Sequence, residues 1–468
     1  MNHSNSLHSK WCGLGLLIFF TLYIPLFTQA QTLKLYDAVN KAIANYPLIK
    51  QRQSEVAASK AHITTVNGYV LPDLILGDEA TTGTANSLEG AYFSLGMIPS
   101  VSGSINPIEK NNLGSGNIAI SMLQWEFYNF GYYNAQKKQA QAELAATTAR
   151  LNGDNYLLTE KIISLYLDWV KKYRLVQIEN ENLQRSGTIL NAIRATVTSG
   201  LKPGVDSATA SAAYADARIS YLQALDNYDY DKISLSTYTG SDTSIQPDTA
   251  IITQAFQNKL YQFQPSDSIT IDHPLLDIFQ KQYQLQLANN KAISKAYLPK
   301  FNLLGAAWQR SSSITSSDNY APNVTDAFQN NRYNYLFGLS LTYNIFDLKH
   351  QRDELREGRY TANAQQSALQ TEQLTLNKML QQANSSYSIT TEKLNELPVQ
   401  LHSAEQAYGQ QIALYKAGLN TLIDVTNALY VLRQTQTNLV VAQDELLQLI
   451  YIRAGLSNQL DIFLQNFK

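Results

Sequence analysis

The sequence predicts a mainly helical chain with a membrane β-barrel component, built twice from a strand hairpin and a long coiled-coil helical hairpin. Three observations predict it. Landmark residues recur at fixed offsets between two halves, apolar residues follow a seven-residue spacing through long segments, and four shorter segments alternate apolar with polar side chains. Gly at 22 and Pro at 12 of 468 residues fall below average usage, which favours long uninterrupted helices over loop-rich structure. Length alone permits two to four domains, but a duplication of this kind makes one elongated body.

Residues 1–30 read as a secretory signal peptide. Lys10 is the only charged residue before Lys34, and an apolar stretch from Leu14 to Phe27 leads into Thr28, Gln29, Ala30 and Gln31, with a small residue before the cut expected after Ala30. An uncleaved anchor is the competing reading, because the uncharged run is nearly long enough to span a bilayer. Cys12, the single cysteine, lies inside this stretch, so the mature chain would hold no disulfide and no thiolate metal site. No later apolar run reaches about 18 residues, so any further membrane-crossing part has to be β-barrel strand.

The first repeat spans 31–240 and the second 273–455, with a linker at 241–272 and a tail at 456–468. Pro47 and Pro72 bracket a helix-like stretch of the first repeat and Pro274 and Pro299 bracket its counterpart, an offset of 227. Two strands follow in each repeat, within about 72–127 and about 299–346. The clearest has Tyr333, Tyr335, Phe337, Leu339, Leu341 and Tyr343 on one face and Asn334, Leu336, Gly338, Ser340, Thr342 and Asn344 on the other. A weaker alternation runs from Asn117 to Phe127, where Leu123, Trp125 and Phe127 share a face; Leu74 to Thr82 and Phe301 to Ser311, with Trp308, are the partners. Alternation alone fits a soluble antiparallel sheet equally well. The crowding of Trp125, Phe127, Tyr128, Phe130, Tyr132 and Tyr133 favours a membrane interface, where such rings gather.

Beyond the strands the offset becomes 218: Asn129 matches Asp347, Gly200 matches Gly418 and Asp206 matches Asp424. Heptad stripes run through Ile162, Trp169, Val176, Leu183, Leu190 and Val197, and through Leu380, Tyr387, Leu394, Leu401, Tyr408 and Tyr415. Such spacing predicts helices that supercoil left-handedly. A helix from Asn129 to Ser199 would be about 105 Å long at 1.5 Å per residue. Pro398 is expected to kink or break the second one. At the bends Gly200-Leu201 and Gly418-Leu419 mark helix stops, Thr421 with Asp424 forms a capping-box pattern, and Pro203 suits an early helical position.

Charge and chemistry exclude other classes. With 36 Lys and Arg against 38 Asp and Glu and no basic run, nucleic acid is not an expected partner. His62, His273, His350 and His402 lack metal-ligand spacing and read as surface or interface residues. No phosphate loop or nucleophile elbow is present. No catalytic residue, cofactor or metal is therefore expected.

The leader, the duplicated helix, strand pair and hairpin, the proline brackets and the two Gly-Leu tips with a downstream Asp together resemble the TolC-like outer-membrane efflux proteins, over nearly all of the mature chain. The resemblance implies a homotrimer whose chains each give four strands to a twelve-stranded barrel continuous with a periplasmic α-helical barrel. It implies a passive exit duct, part of a tripartite efflux or type I secretion system, joined through a periplasmic adaptor (membrane fusion protein) to an inner-membrane pump or ABC transporter. A belt around the helices would draw on Ser241 to Ile271 and the tail after Gly455. Trp125, Phe127, Trp308, Tyr335, Phe337, Leu339 and Leu341 would form the lipid-facing strand surface, and the loops from Asp78 to Gly116 and from Ser312 to Arg332 would be extracellular. Gly200, Leu201, Gly418 and Leu419 would be the tips that meet the adaptor. The resemblance also places a periplasmic gate at Asp206, Tyr415, Asp424, Asn420 and Asn427: Asp424 falls on a ring position, Asn427 stands where a second ring would carry charge, Asp206 and Tyr415 occupy a hydrogen-bonded pair, and Asn420 replaces an arginine that ties the tips. Helix capping alone also accounts for Asp206 and Asp424. The alternative for the whole chain is a secreted coiled-coil scaffold or adaptor without a pore.

Overall fold

The computed structural model describes residues 32–84, 108, 109, 111–257, 269, 270, 272–314, 325, 328, 329 and 332–467. The expected leader and most of the two long inter-strand loops lie outside the described residues, as do 258–268 and 271 of the expected belt segment. Two copies of one unit follow each other. The first is α2 (Pro47–Gly68), β2 (Asp73–Gly83), β3 (Gly114–Tyr128), α3 (Tyr132–Thr198) and α4 (Gly204–Thr239). The second is α6 (Pro274–Ala296), β5 (Lys300–Ser312), β6 (Arg332–Thr342), α7 (Asp347–Lys416) and α8 (Leu422–Leu456). Proline opens α2 and α6 because its missing N–H costs nothing in a first turn. Among the described residues, no helix is long and apolar enough to cross a membrane.

The four long strands form one antiparallel sheet in the order β2-β3-β5-β6, so the two hairpins join side by side through β3 and β5. Register fixes the faces, since alternate residues of each strand point to opposite sides. Leu74, Leu123, Gly305 and Phe337 share one row; Trp125, Leu303 and Leu339 share the next on the same face. Trp308 is a correction to the sequence reading. It is paired with Ile120 and Asn334 and so stands on the opposite face from Tyr335 and Phe337. Its even number on β5 sets this, and an aromatic side chain carries no information about face by itself. The strands also run further than the alternation suggested, which narrows the first loop to the residues between Gly83 and Gly114.

The helices pack in two hairpins, α3 with α4 and α7 with α8, while α2 lies on α3 and α6 bridges α3 and α7. The main core surrounds the middle of α3, where Ile162, Ile163, Tyr166, Leu167, Trp169 and Val170 are fully buried. Leu446, Leu447 and Ile450 of α8 and the tail residues Phe463 and Phe467 close it. The core draws on a segment that the sequence reading left out of the belt: β1 (Thr32–Leu33) pairs in parallel with β4 (Gln246–Pro247), and α1 (Leu35–Asn45) buries Leu35, Ala38, Val39 and Ala42. Next along the chain α5 (Ala250–Gln257) and, at the end, α9 (Leu460–Gln465) complete the layer. Where α8 crosses α3 the glycine allows close approach: a Cβ on Gly455 would come within 2.8 Å of Tyr156 Oη and 2.9 Å of Glu160 Oε1, so those side-chain ends would have to move. Ion pairs fasten the hairpins to each other, with Lys171 Nζ 3.0 Å from Asp444 and Arg433 3.4 Å from Glu179. Burial pushes the Asp444 carboxyl up against the opposing pull of Lys171.

Two further expectations are corrected. Helix α7 continues without a break through Pro398, which sits at an exposed position on the helix, so the lost hydrogen bond does not end it. His273 is completely buried, not a surface residue: as the N-cap of α6 its Nδ1 accepts a 3.2 Å hydrogen bond from the Leu275 amide, and its ring stands edge-on to Tyr156.

Tyr166 ties this core together, donating to the Leu33 carbonyl at 2.6 Å and accepting from the Asp248 amide at 3.1 Å. Tyr166→Phe leaves both buried backbone groups without their partner, so we expect a loss of about 1–3 kcal/mol. Chemical unfolding of the detergent-solubilised protein measures it, and an unchanged midpoint would mean that water replaces the hydroxyl.

Candidate functional site: the hairpin tips and the sheet faces

The two tips are built alike. At the end of α3 the Leu201 amide donates to Thr196 O and the Gly200 amide to Val197 O, both at 3.0 Å; at the end of α7 Leu419 donates to Leu414 O at 2.9 Å and Gly418 to Tyr415 O at 3.1 Å. This double bond pattern needs a left-handed residue after the helix, which Gly200 (φ 72°) and Gly418 (φ 75°) supply. Each turn then projects its leucine: Leu201 and Leu419 are both 75% exposed, joined by Val205 and Ile423 at the next helix start.

Beyond that shared frame the matched positions of the tips diverge. Where the second tip has Thr421, the first has Pro203. The Thr421 amide and hydroxyl both donate to Asp424 Oδ2, at 2.9 and 2.7 Å, and the Asp424 amide donates back to Thr421 Oγ1 at 3.4 Å, a complete capping box. Those bonds hold the Asp424 carboxyl below the ordinary aspartate range. Proline offers Asp206 no such partner. Its carboxylate instead accepts from Tyr415 Oη at 3.3 Å, across from the other hairpin. Burial and the facing Asp206 carboxylate push the Tyr415 phenol up.

The matched pair Lys202 and Asn420 differs too. Asn420 folds back onto its own hairpin, donating to the Gln411 carbonyl at 3.2 Å and to the Gln411 side chain, so it does not tie the tips. Lys202 does: its Nζ lies 4.7 Å from the centre of the Tyr415 ring. Sequence reasoning missed it, although its alignment with Asn420 across the duplication was the available signal. Beneath them Leu190, Ile193, Ala210 and Leu422 pack with Tyr415 as a small separate core. Asn427 is exposed.

On the sheet, Tyr335, Phe337 and Leu339 are 80%, 75% and 74% exposed in the isolated chain. At the helix end, Trp125 donates to the Val70 carbonyl at 2.9 Å, and Phe127, Tyr128, Phe130 and Phe301 cluster beside it, with Tyr128 and Phe130 edge-to-face at 4.9 Å. Among the described residues no group of three or more His, Cys, Asp or Glu side chains could hold a metal ion.

Residues 38–241 and 271–449 match the family described as outer membrane efflux protein. Among solved structures, the chain is similar to the Campylobacter jejuni CmeC outer membrane channel (TM-score 0.74, 13% identity, 93% of this chain and 90% of that one). It is also similar to the outer membrane protein VceC of Vibrio cholerae (0.69, 14%, 91% and 95%) and to the open state of the MtrE outer membrane channel of Neisseria gonorrhoeae (0.69, 15%, 91% and 89%). These likenesses carry the fold. No curated protein sequence matches the chain.

The capping box predicts a pH effect with a definite sign. A carboxyl depressed in the folded state stabilises above its unfolded pKa, and that contribution is lost as pH falls through the lower, folded value. Protection of the amides at 422–425, relative to free amides at the same pH, is therefore expected to fall in acid below the ordinary aspartate range, and Thr421→Ala, which removes about 1 kcal/mol of capping, should lower it at neutral pH. Equal exchange in the variant and the parent would dismiss the cap.

Proposed function

The chain belongs to the outer membrane efflux protein family, and from that membership we propose how it assembles, gates and docks. It is an outer-membrane efflux channel that extends into the periplasm. The observation that carries the reading is the state of the sheet edges: among the described residues of one chain β2 and β6 each have an unpaired side. An open edge in hydrocarbon leaves backbone groups unsatisfied, so the chain must recruit further strands. Neighbouring strands run antiparallel from β2 to β6, so β6 of one copy meets β2 of the next antiparallel and the pattern closes with any whole number of chains. Three copies, the number the family resemblance implies, make a twelve-stranded barrel.

The helices ask for the same neighbour. Ile219, Leu222, Tyr230 and Ile233 lie on one face of α4 and are more than half exposed, while α7 leaves Tyr360 and Leu374 exposed by 70% and 72%. Adjacent copies cover these stripes and make the periplasmic tube. Leu339, Phe337 and Tyr335 face lipid; Asn334, Ser340 and Thr342 face the lumen. The exposed leucines of the tips, Leu201 and Leu419, meet a periplasmic adaptor, through which an inner-membrane pump or ABC transporter supplies the energy. The native mass of detergent-purified protein should correspond to three chains, and a stable monomer would remove the duct. The scaffold alternative has no observation in its favour.

The gate is the contact between hairpins. Tyr415, held by Asp206 and covered by Lys202, fixes the second tip to the first, and Asp424 presents its carboxylate toward the axis while it caps α8. In single-channel recordings, Tyr415→Phe is expected to raise closed-state conductance and Asp424→Asn to weaken divalent-cation block. If cation block persists in the second variant with the trimer intact, Asp424 serves as a cap only.

A further inference from the structure

The face opposite the aromatic strand surface is polar at its two ends and apolar in between. Row by row it carries Ile75, Met122, Ala306 and Leu336, then Gly77, Ile120, Trp308 and Asn334, then Glu79, Ile118, Arg310 and Arg332. A strand face that lines a water-filled lumen is ordinarily polar, yet Ile75 and Leu336 stand 41% and 52% exposed. Immediately beyond the apolar rows, Arg310 and Arg332 are directly paired across β5 and β6. Like charges at such positions repel, because the side chains start only about 5 Å apart. Among the described residues neither arginine has an ion pair, and Glu79 lies two strands away from Arg310 in the same row. An apolar patch in water and an uncompensated arginine pair each cost stability, and together they complement one kind of molecule.

We propose that this surface is a luminal subsite for anionic amphiphiles: a carboxylate or sulfate head bridges Arg310 and Arg332, and an apolar body lies along Trp308, Met122 and Leu336. The guanidinium pair offers two donor forks to one anion. Trp308, one row below, stands about 7 Å along the strand from Arg310, the reach of a short alkyl or ring segment. Size excludes a hydrophobic plug as the purpose of the patch. Twelve strands about 4.8 Å apart and tilted by roughly 40° close on a radius of about 12 Å, so side chains from opposite walls do not meet. Cargo can touch the wall while water fills the remainder. The subsite rests on the trimeric-channel reading with this face turned inward.

Planar-bilayer recording of the purified trimer tests it with probes of matched length. Dodecanoate is expected to block current at concentrations at least tenfold below those needed for butyrate or dodecyltrimethylammonium. The double variant Arg310→Gln, Arg332→Gln should shift the cation-to-anion permeability ratio toward cations and abolish the preference for dodecanoate. Trp308→Asn should weaken dodecanoate block about tenfold while leaving the permeability ratio unchanged. If the double variant shifts the ratio but block by dodecanoate is unaltered, or if both dodecyl probes block equally, the subsite is wrong and the channel reading stands. If the ratio does not move in the double variant, the arginines lie outside the lumen against lipid phosphate, and both the subsite and the inward assignment of this face fall together.

Discussion

Backbone amides and carbonyls on the outer sides of β2 and β6 have no strand partner among the described residues of the chain, and a lipid environment supplies none. The architecture follows from this unmet requirement. Because each repeat gives one hairpin, the two hairpins join through β3 and β5 and the free edges fall at the two ends of a short arc. Copies must then continue the arc, and whichever neighbour completes the sheet also brings its helices alongside α4 and α7. The exposed apolar stripes on those helices are the periplasmic counterpart of the open edges: both are incomplete in one chain, and one association covers both.

Duplication supplies the near-symmetry of the assembly, and divergence at the tips breaks it. The glycine stops and the leucines that follow them are kept in both tips. The proline at 203 denies Asp206 a capping partner and turns it toward Tyr415, whereas Thr421 retains Asp424 at its own helix start. Two aspartates at the same place in the repeat therefore do different work, one between hairpins and one within its own. The cation that the family resemblance would place at position 420 is found at the matched position of the other tip, Lys202, where it reaches the same tyrosine from the opposite side.

Much of this was legible in the sequence because long periodic elements carry a redundant signal. The heptad residues of α3 and α7 are buried or half-buried in the chain, and the alternating run from Tyr333 to Thr342 is the β6 strand with its neighbour register. What could not be read depended on contacts between distant segments. Thr32 and Leu33 form a strand only because Gln246 and Pro247 lie beside them. His273 looked like a surface residue because nothing local reveals that Tyr156 covers it. Trp308 carried the right chemistry for a membrane face but the wrong parity, and Pro398 the right chemistry for a break in a helix that the flanking turns nevertheless carry through. At the candidate gate, positions were visible from the repeat, while the directions of the side chains at 206, 420 and 424 were decided by neighbours three to nine residues away or on the other hairpin.

The unequal packing of the two long hairpins bears on quality control. Helix α3 is sealed into the chain's own core from Ile162 to Val170, whereas the buried residues of α7 are few and scattered, with long exposed stretches around Tyr360, Leu374 and Val399. A protomer that has not met its neighbours thus carries one long helix, α3, supported from within and another, α7, that relies on other chains. Local opening is easiest where few apolar contacts must be broken, which leaves α7 open to proteolysis in an orphan chain. Burial of that helix by association removes the exposure, so an intact α7 reports completed assembly.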